Sequence, residues 1–107
     1  MVGPMLSRRP DPFPFRAVRD LIGLLRAMHA AARERNAGAR VLAHIERVGR
    51  ELRDAYDLAV ATRPDTVGRR AAWARAEKAT REVGDLVSLT DEFQPIVLAA
   101  CKRVRRR

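Results

Sequence analysis

Apolar residues recur along this chain in alternating steps of three and four, the spacing that gathers side chains on one face of an α-helix. The first stripe holds Phe15, Val18, Ile22, Leu25, His29 and Ala32, with Leu21 and Met28 widening it. It stops at Asn36-Ala37-Gly38, residue types that tolerate the left-handed backbone of a helix end. The second runs Val41, Ile45, Val48, Leu52, Ala55, Ala59 and Thr62, flanked by Leu42, Gly49 and Tyr56, and ends at Arg63-Pro64-Asp65. A third, capped by Thr66 or Asp65, comprises Trp73, Ala76, Thr80, Val83 and Val87 with Ala72, Ala79 and Leu86 beside them. Its small residues predict close approach to a neighbouring helix around Ala72, Ala76 and Ala79. Thr90-Asp91-Glu92 supplies a capping hydroxyl and two acids for a fourth helix whose stripe is Phe93, Val97, Ala100 and Val104, with Ile96 alongside. Pro95 is tolerated in a first turn; placed elsewhere it would kink one long helix running from about Thr66 to the C-terminus.

Three segments of on the order of 20 residues and a shorter fourth, joined by short turns, imply antiparallel neighbours, because each amphipathic stripe must bury against the others. The expected fold class is all-α: an antiparallel up-down four-helix bundle over residues 15–107, with a basic C-terminal tail and a proline-rich N-terminal arm over residues 1–14. Pro4, Pro10, Pro12 and Pro14 keep that arm extended. Phe13 and Phe15 either cap the core or dock on a neighbour, and capping is the favoured role.

At 107 residues the chain is one domain with room for a real core. Arg or Asp interrupts every apolar stretch, so nothing approaches the ~18 apolar residues of a membrane span. Four prolines before Phe15 leave no apolar h-region for a secretory signal, and the single cysteine, Cys101, cannot form an intrachain disulfide. A cytoplasmic protein, not a membrane protein, is expected.

Charge changes the picture most. Of a formal net charge of +9, residues 1–19 carry +3 and residues 102–107 carry +5, so the 82 residues between hold 13 Lys/Arg against 12 Asp/Glu. The excess sits at the ends of the chain, where it can meet an anionic partner. An alternating bundle places the start of helix 1, the turn between helices 2 and 3, and the end of helix 4 at one pole. That pole would gather Arg8, Arg9, Arg16 and Arg19 from the arm and first turns, Arg63, Arg69 and Arg70 from the turn, and Lys102, Arg103, Arg105, Arg106 and Arg107 from the tail. These are the candidate nucleic-acid-binding residues. Arginine, 20 of the 22 basic residues, suits phosphate because its planar fork donates two bonds at once. An Arg-rich composition also arises from a GC-rich genome. Aromatics are 5% and no base-reading motif is present, so contact with RNA or DNA would be to the backbone.

Other chemistry finds little support. His29 and His44 lie on or beside facing stripes, but a di-metal carboxylate site needs inward Glu residues with Glu-x-x-His pairs, and helix 1 has no Glu before Glu34. His29, Tyr56 and Trp73 read as core or interface residues with a polar edge. There is no phosphate loop, nucleophile elbow or Cys-His arrangement. Neither an enzyme, a metal site nor a cofactor is expected.

The helix layout over residues 15–107 and the run Glu51-Leu52-Arg53-Asp54-Ala55-Tyr56-Asp57-Leu58-Ala59 resemble the four-helix-bundle proteins encoded in ribosomal RNA intervening sequences and their relative, the accessory variability determinant of diversity-generating retroelements. The resemblance implies a homo-oligomeric bundle that binds nucleic acid and assists a reverse transcriptase. A small helical subunit of an RNA-guided complex would share the same gross features. The leading expectation is a non-enzymatic, nucleic-acid-binding accessory subunit of a larger assembly; the alternative is a self-associating scaffold that binds an acidic protein partner. Self-association is expected from the helix 3 alanines, Phe13, Phe15, and the off-stripe Leu24 and Leu58.

Overall fold

The computed structural model describes residues 13–88 and 93–105. Among these residues are four helices and no strand: α1 (Phe15–Glu34), α2 (Ala39–Val60), α3 (Val67–Ser88) and α4 (Gln94–Arg105). Local chemistry sets their ends. At the end of α1, Asn36 takes a left-handed φ of 56°. The amide of Ala37 then donates to the Ala32 carbonyl at 2.9 Å and that of Asn36 to Arg33 at 3.1 Å. This is a Schellman closure, which satisfies carbonyls the helix leaves unpaired. Of the two possible caps for α3, Thr66 is the one used: its Oγ1 accepts from the Arg69 amide at 3.1 Å and donates to the Arg63 carbonyl at 2.7 Å. Pro95 is the second residue of α4, where a missing amide donor costs nothing. The Thr90-Asp91-Glu92 cap lies outside the described residues, as does the proline-rich arm except for Phe13 and Pro14.

Residue pairs give the direction of each helix. Passing up α1 through Arg19, Leu25 and His29, the partners on α2 descend through Tyr56, Gly49 and Glu46, so the two are antiparallel. Arg69 meets Thr62 and Glu82 meets Arg47, which makes α3 antiparallel to α2. The buried residues are those a three-helix core needs: Val18, Leu25, Met28, Ala31 and Ala32 from α1, Val41, Ile45, Val48, Leu52, Ala55 and Ala59 from α2, and Ala72, Ala76, Ala79, Val83 and Leu86 from α3. Burying each large apolar side chain contributes about 1.5–3 kcal/mol.

The α2 stripe is buried as its periodicity predicts from Val41 to Ala59, while Thr62, past the end of the helix, is half-buried. The α3 stripe is rotated by about one position: Ala72 and Ala79 are inside, whereas Trp73 is half-buried and Thr80 exposed. Alanines let α3 lie close against α2, and an indole at the same place would hold the helices apart. In α1 the rotation favours Met28 and Ala31 over Ile22 and His29, which are half-buried. Phe13 is 3% exposed and stacks at 4.7 Å on Phe15 and 6.3 Å on Trp73, so it caps the core.

The fourth helix departs from the alternating bundle. It has 12 residues, packs on α1 and scarcely touches α3. Phe93 makes an edge contact with His44 near the start of α2, Arg35 shares a hollow with Gln94, Pro95, Leu98, Ala99 and Lys102, and Arg103 pairs with Glu34 at the end of α1. All of these contacts lie at the pole where α1 ends. A helix returning alongside α3 would carry Arg103 about 14 Å back toward the start of α1. Instead α4 closes the far pole with Phe93, Ile96 and Ala100 buried, and the body measures 57 × 25 × 22 Å, longer than rods of about 33 Å laid side by side. Short connections favour antiparallel neighbours, but a helix this short takes the end that offers its apolar residues a seat.

Candidate nucleic-acid interface

The displaced α4 divides the cationic residues between two poles. At the first pole the start of α1 and the α2–α3 turn bring together Arg16, Arg19, Arg63, Arg69 and Arg70. Arg16, Arg63 and Arg70 are exposed, and Arg70 Nη1 reaches the Asp65 carbonyl at 3.5 Å. Arg19 Nη2 donates to the Tyr56 hydroxyl at 2.8 Å with its guanidinium 5.8 Å from the ring centroid. That hydrogen bond pushes the Arg19 pKa above its ordinary value.

Arg69 is spoken for by the fold. It is 7% exposed, its Nη2 donates to the Thr62 carbonyl at 2.5 Å, its Nε to Thr62 Oγ1 at 3.3 Å, and its guanidinium lies 5.2 Å from the centre of the Phe15 ring. A guanidinium held this way joins the α2–α3 turn to the first turn of α1 and presents nothing to a ligand. Its sequence neighbour Arg70 faces solvent. Arg69 therefore drops out of the expected phosphate-binding set as a structural residue.

The tail residues Lys102, Arg103 and Arg105 lie at the opposite pole, not beside Arg69 and Arg70. Arg8, Arg9, Arg106 and Arg107 fall outside the described residues. At that pole the last turn of α1 contributes Arg33, its C-cap is Arg35, and the second residue of α2 is Arg40; all are exposed, as are Lys102, Arg103 and Arg105. Glu34, an acid among them, is engaged by Arg103. Arg35 and Lys102 both line a hollow of about 350 Å³, together with Gln94, Pro95, Leu98 and Ala99. Cations in the last turn of α4 also complement the negative end of its helix dipole. In sequence, Arg33, Arg35 and Arg40 at this pole are nearly balanced by Glu34, Asp85, Asp91 and Glu92, the last two outside the described residues; the Arg103–Glu34 pairing that adds the tail cations here has no local signature.

The two histidines do not form a joint site. His29 Nε2 lies 2.9 Å from Glu46 Oε2, linking α1 to α2, and His44 is exposed against Phe93. Among the described residues no three His, Cys, Asp or Glu side chains converge, and no described helix is long and apolar enough to cross a membrane. Comparison with protein-family models, curated proteins and solved structures gave no match for this chain.

Proposed function

We propose that this chain is a non-enzymatic protein that binds nucleic acid through its phosphate backbone, as an accessory subunit of a larger assembly. The observation that carries the reading is the pole closed by α4, where six exposed cations, Arg33, Arg35, Arg40, Lys102, Arg103 and Arg105, outnumber the described acids Glu34, which Arg103 engages, and Asp85 near the end of α3. The chain continues from there into Arg106 and Arg107. Exposed arginines at helix ends suit phosphate oxygens, and the scarcity of exposed aromatics argues against base stacking. Arg16, Arg63 and Arg70 at the other pole form a smaller second patch. The resemblance to retroelement accessory bundles extends the proposal to assistance of a reverse transcriptase.

The test is a mobility-shift titration with random single-stranded RNA and duplex DNA at two salt concentrations. Each phosphate neutralised contributes about 0.7–0.9 to the slope of log K against log salt, so six cations give a slope of about −4 to −5. Removing Arg35, Lys102 and Arg105 together should flatten it by about 2–3, and removing Arg16, Arg63 and Arg70 should flatten it less. No binding at low salt, or equal losses from the two triple variants, would refute the reading. Competition by an acidic polypeptide but not by nucleic acid would favour the scaffold alternative.

A further inference from the structure

Displacing α4 to the far pole leaves a groove between α1 and α3 where a returning fourth helix would lie. It is lined by Pro14, Ala17, Val18 and Leu21 on one side and by Trp73, Ala76, Glu77, Thr80 and Arg81 on the other, with a volume of about 370 Å³. Its floor is apolar: Val18 and Ala76 are buried, and Leu21 and Trp73 keep part of their surface in water. No residue of α4 lines it. Alanines at 17 and 76 leave room for another helix to approach closely.

The α3 rim of this groove is complementary to itself. Ala74, Glu77, Arg81 and Gly84 recur in steps of three and four, forming one exposed stripe of small residues at both ends and opposite charges at the centre. When two such stripes meet antiparallel about a two-fold axis, Glu77 of each copy faces Arg81 of the other and Ala74 faces Gly84. A two-fold interface requires this property, since the same patch must serve both partners. Neither Glu77 nor Arg81 has an ion-pair partner among the described residues. Gly84 has open space within 4 Å of where a Cβ would stand, so a second helix can pass close there.

We propose that the α1–α3 groove is the docking surface for a second copy of this chain, in a two-fold dimer held by reciprocal Glu77–Arg81 pairs over a floor that includes Trp73. This shifts the self-association surface from most of the residues the sequence offered: Ala72 and Ala79 are buried within the chain and Phe13 is in its core, while Ala76 lies in the groove floor.

Sedimentation velocity and equilibrium on the full chain test the proposal, with Trp73, the only tryptophan, reporting on the groove by fluorescence quenching. The wild type is expected to be a dimer of about 24 kDa from its 12.0 kDa chain. Glu77→Arg and Arg81→Glu should each weaken association at least about tenfold, because each places like charges across the axis. Mixing the two variants should restore it, since one chain then offers two arginines and the other two glutamates. Both positions are exposed, so the variants should keep their helical circular dichroism. A wild-type monomer, single variants that associate as well as wild type, or a mixture that recovers nothing would each overturn the proposal. So would a dimer that appears only after residues 1–11 are deleted, because the N-terminal segment would then be the occupant of the groove.

Discussion

Replacing Arg69 with methionine separates its structural role from the charge it shares with Arg70. Methionine retains most of the apolar stem and removes the guanidinium that donates to the Thr62 carbonyl and Oγ1 and lies over Phe15. Hydrogen bonds from a charged donor contribute about 1.5–3 kcal/mol and the ring contact about 0.5–2 kcal/mol. Relief from keeping a buried cation desolvated offsets part of this, leaving a net loss of about 2–3 kcal/mol. For a chain of this size that corresponds to a fall in Tm of about 8–12 °C. Arg69→Lys should lose more than half as much, because a point charge cannot reproduce the planar fork. Arg70→Ala, one residue along but exposed, should stay within about 0.5 kcal/mol of wild type. Urea and thermal unfolding followed by circular dichroism measure all three. At temperatures where Arg69→Met remains folded, its affinity for nucleic acid should match wild type. If Arg69→Met melts with the wild type, or if Arg70→Ala costs as much, the guanidinium does not hold the turn and the argument fails.

Two glycines of the same type should respond in opposite directions. At Gly68 an added Cβ would sit 2.5 Å from Thr62 Cγ2, so Gly68→Ala should cost about 1–3 kcal/mol; Gly23→Ala, with nothing within 4 Å, should stabilise by about 0.5–1 kcal/mol, and melting curves decide both. Glu34→Gln releases Arg103 and removes an acid from the α4 pole; as an exposed pair its stability cost should stay below about 1 kcal/mol, while nucleic-acid affinity at low salt should rise.

Helix limits could be read from the sequence because their causes are local. Asn36 accepts a left-handed backbone, Thr66 caps its own helix, and Pro95 fits only a first turn. The α2 stripe was equally legible, since that helix lies between α1 and α3 and buries a face spaced as ideal periodicity requires. The α1 and α3 stripes were readable only to within about one residue position, because half-apolar flanks at Leu21, Ile22 and Trp73 give two acceptable faces and packing against α2 selects one. Where α4 goes was not legible. Its few apolar residues fit more than one seat, and the choice shows only in long-range contacts such as Arg103–Glu34. The candidate site inherited that ambiguity: the cationic residues were identifiable by type, but their grouping depended on the path of one short helix. The distinction between Arg69 and Arg70 was likewise invisible, because it turns on which of two adjacent arginines points at Phe15.

The seating of α4 also sets an order of local opening. Phe93, Ile96 and Ala100 are its buried anchors, against six buried side chains on α2, and it borrows little from α3. Its release from α1 therefore requires far less free energy than unfolding the three-helix core, and its amide protons exchange through that smaller opening while those of α2 wait for the global one. The cations at Lys102, Arg103 and Arg105 ride on this least protected element. A polyanion bound there would act as a clasp: contacts that need α4 docked would deepen its seat on α1, and because global unfolding also frees α4, exchange in α4 and in the core would both slow, each by the binding free energy.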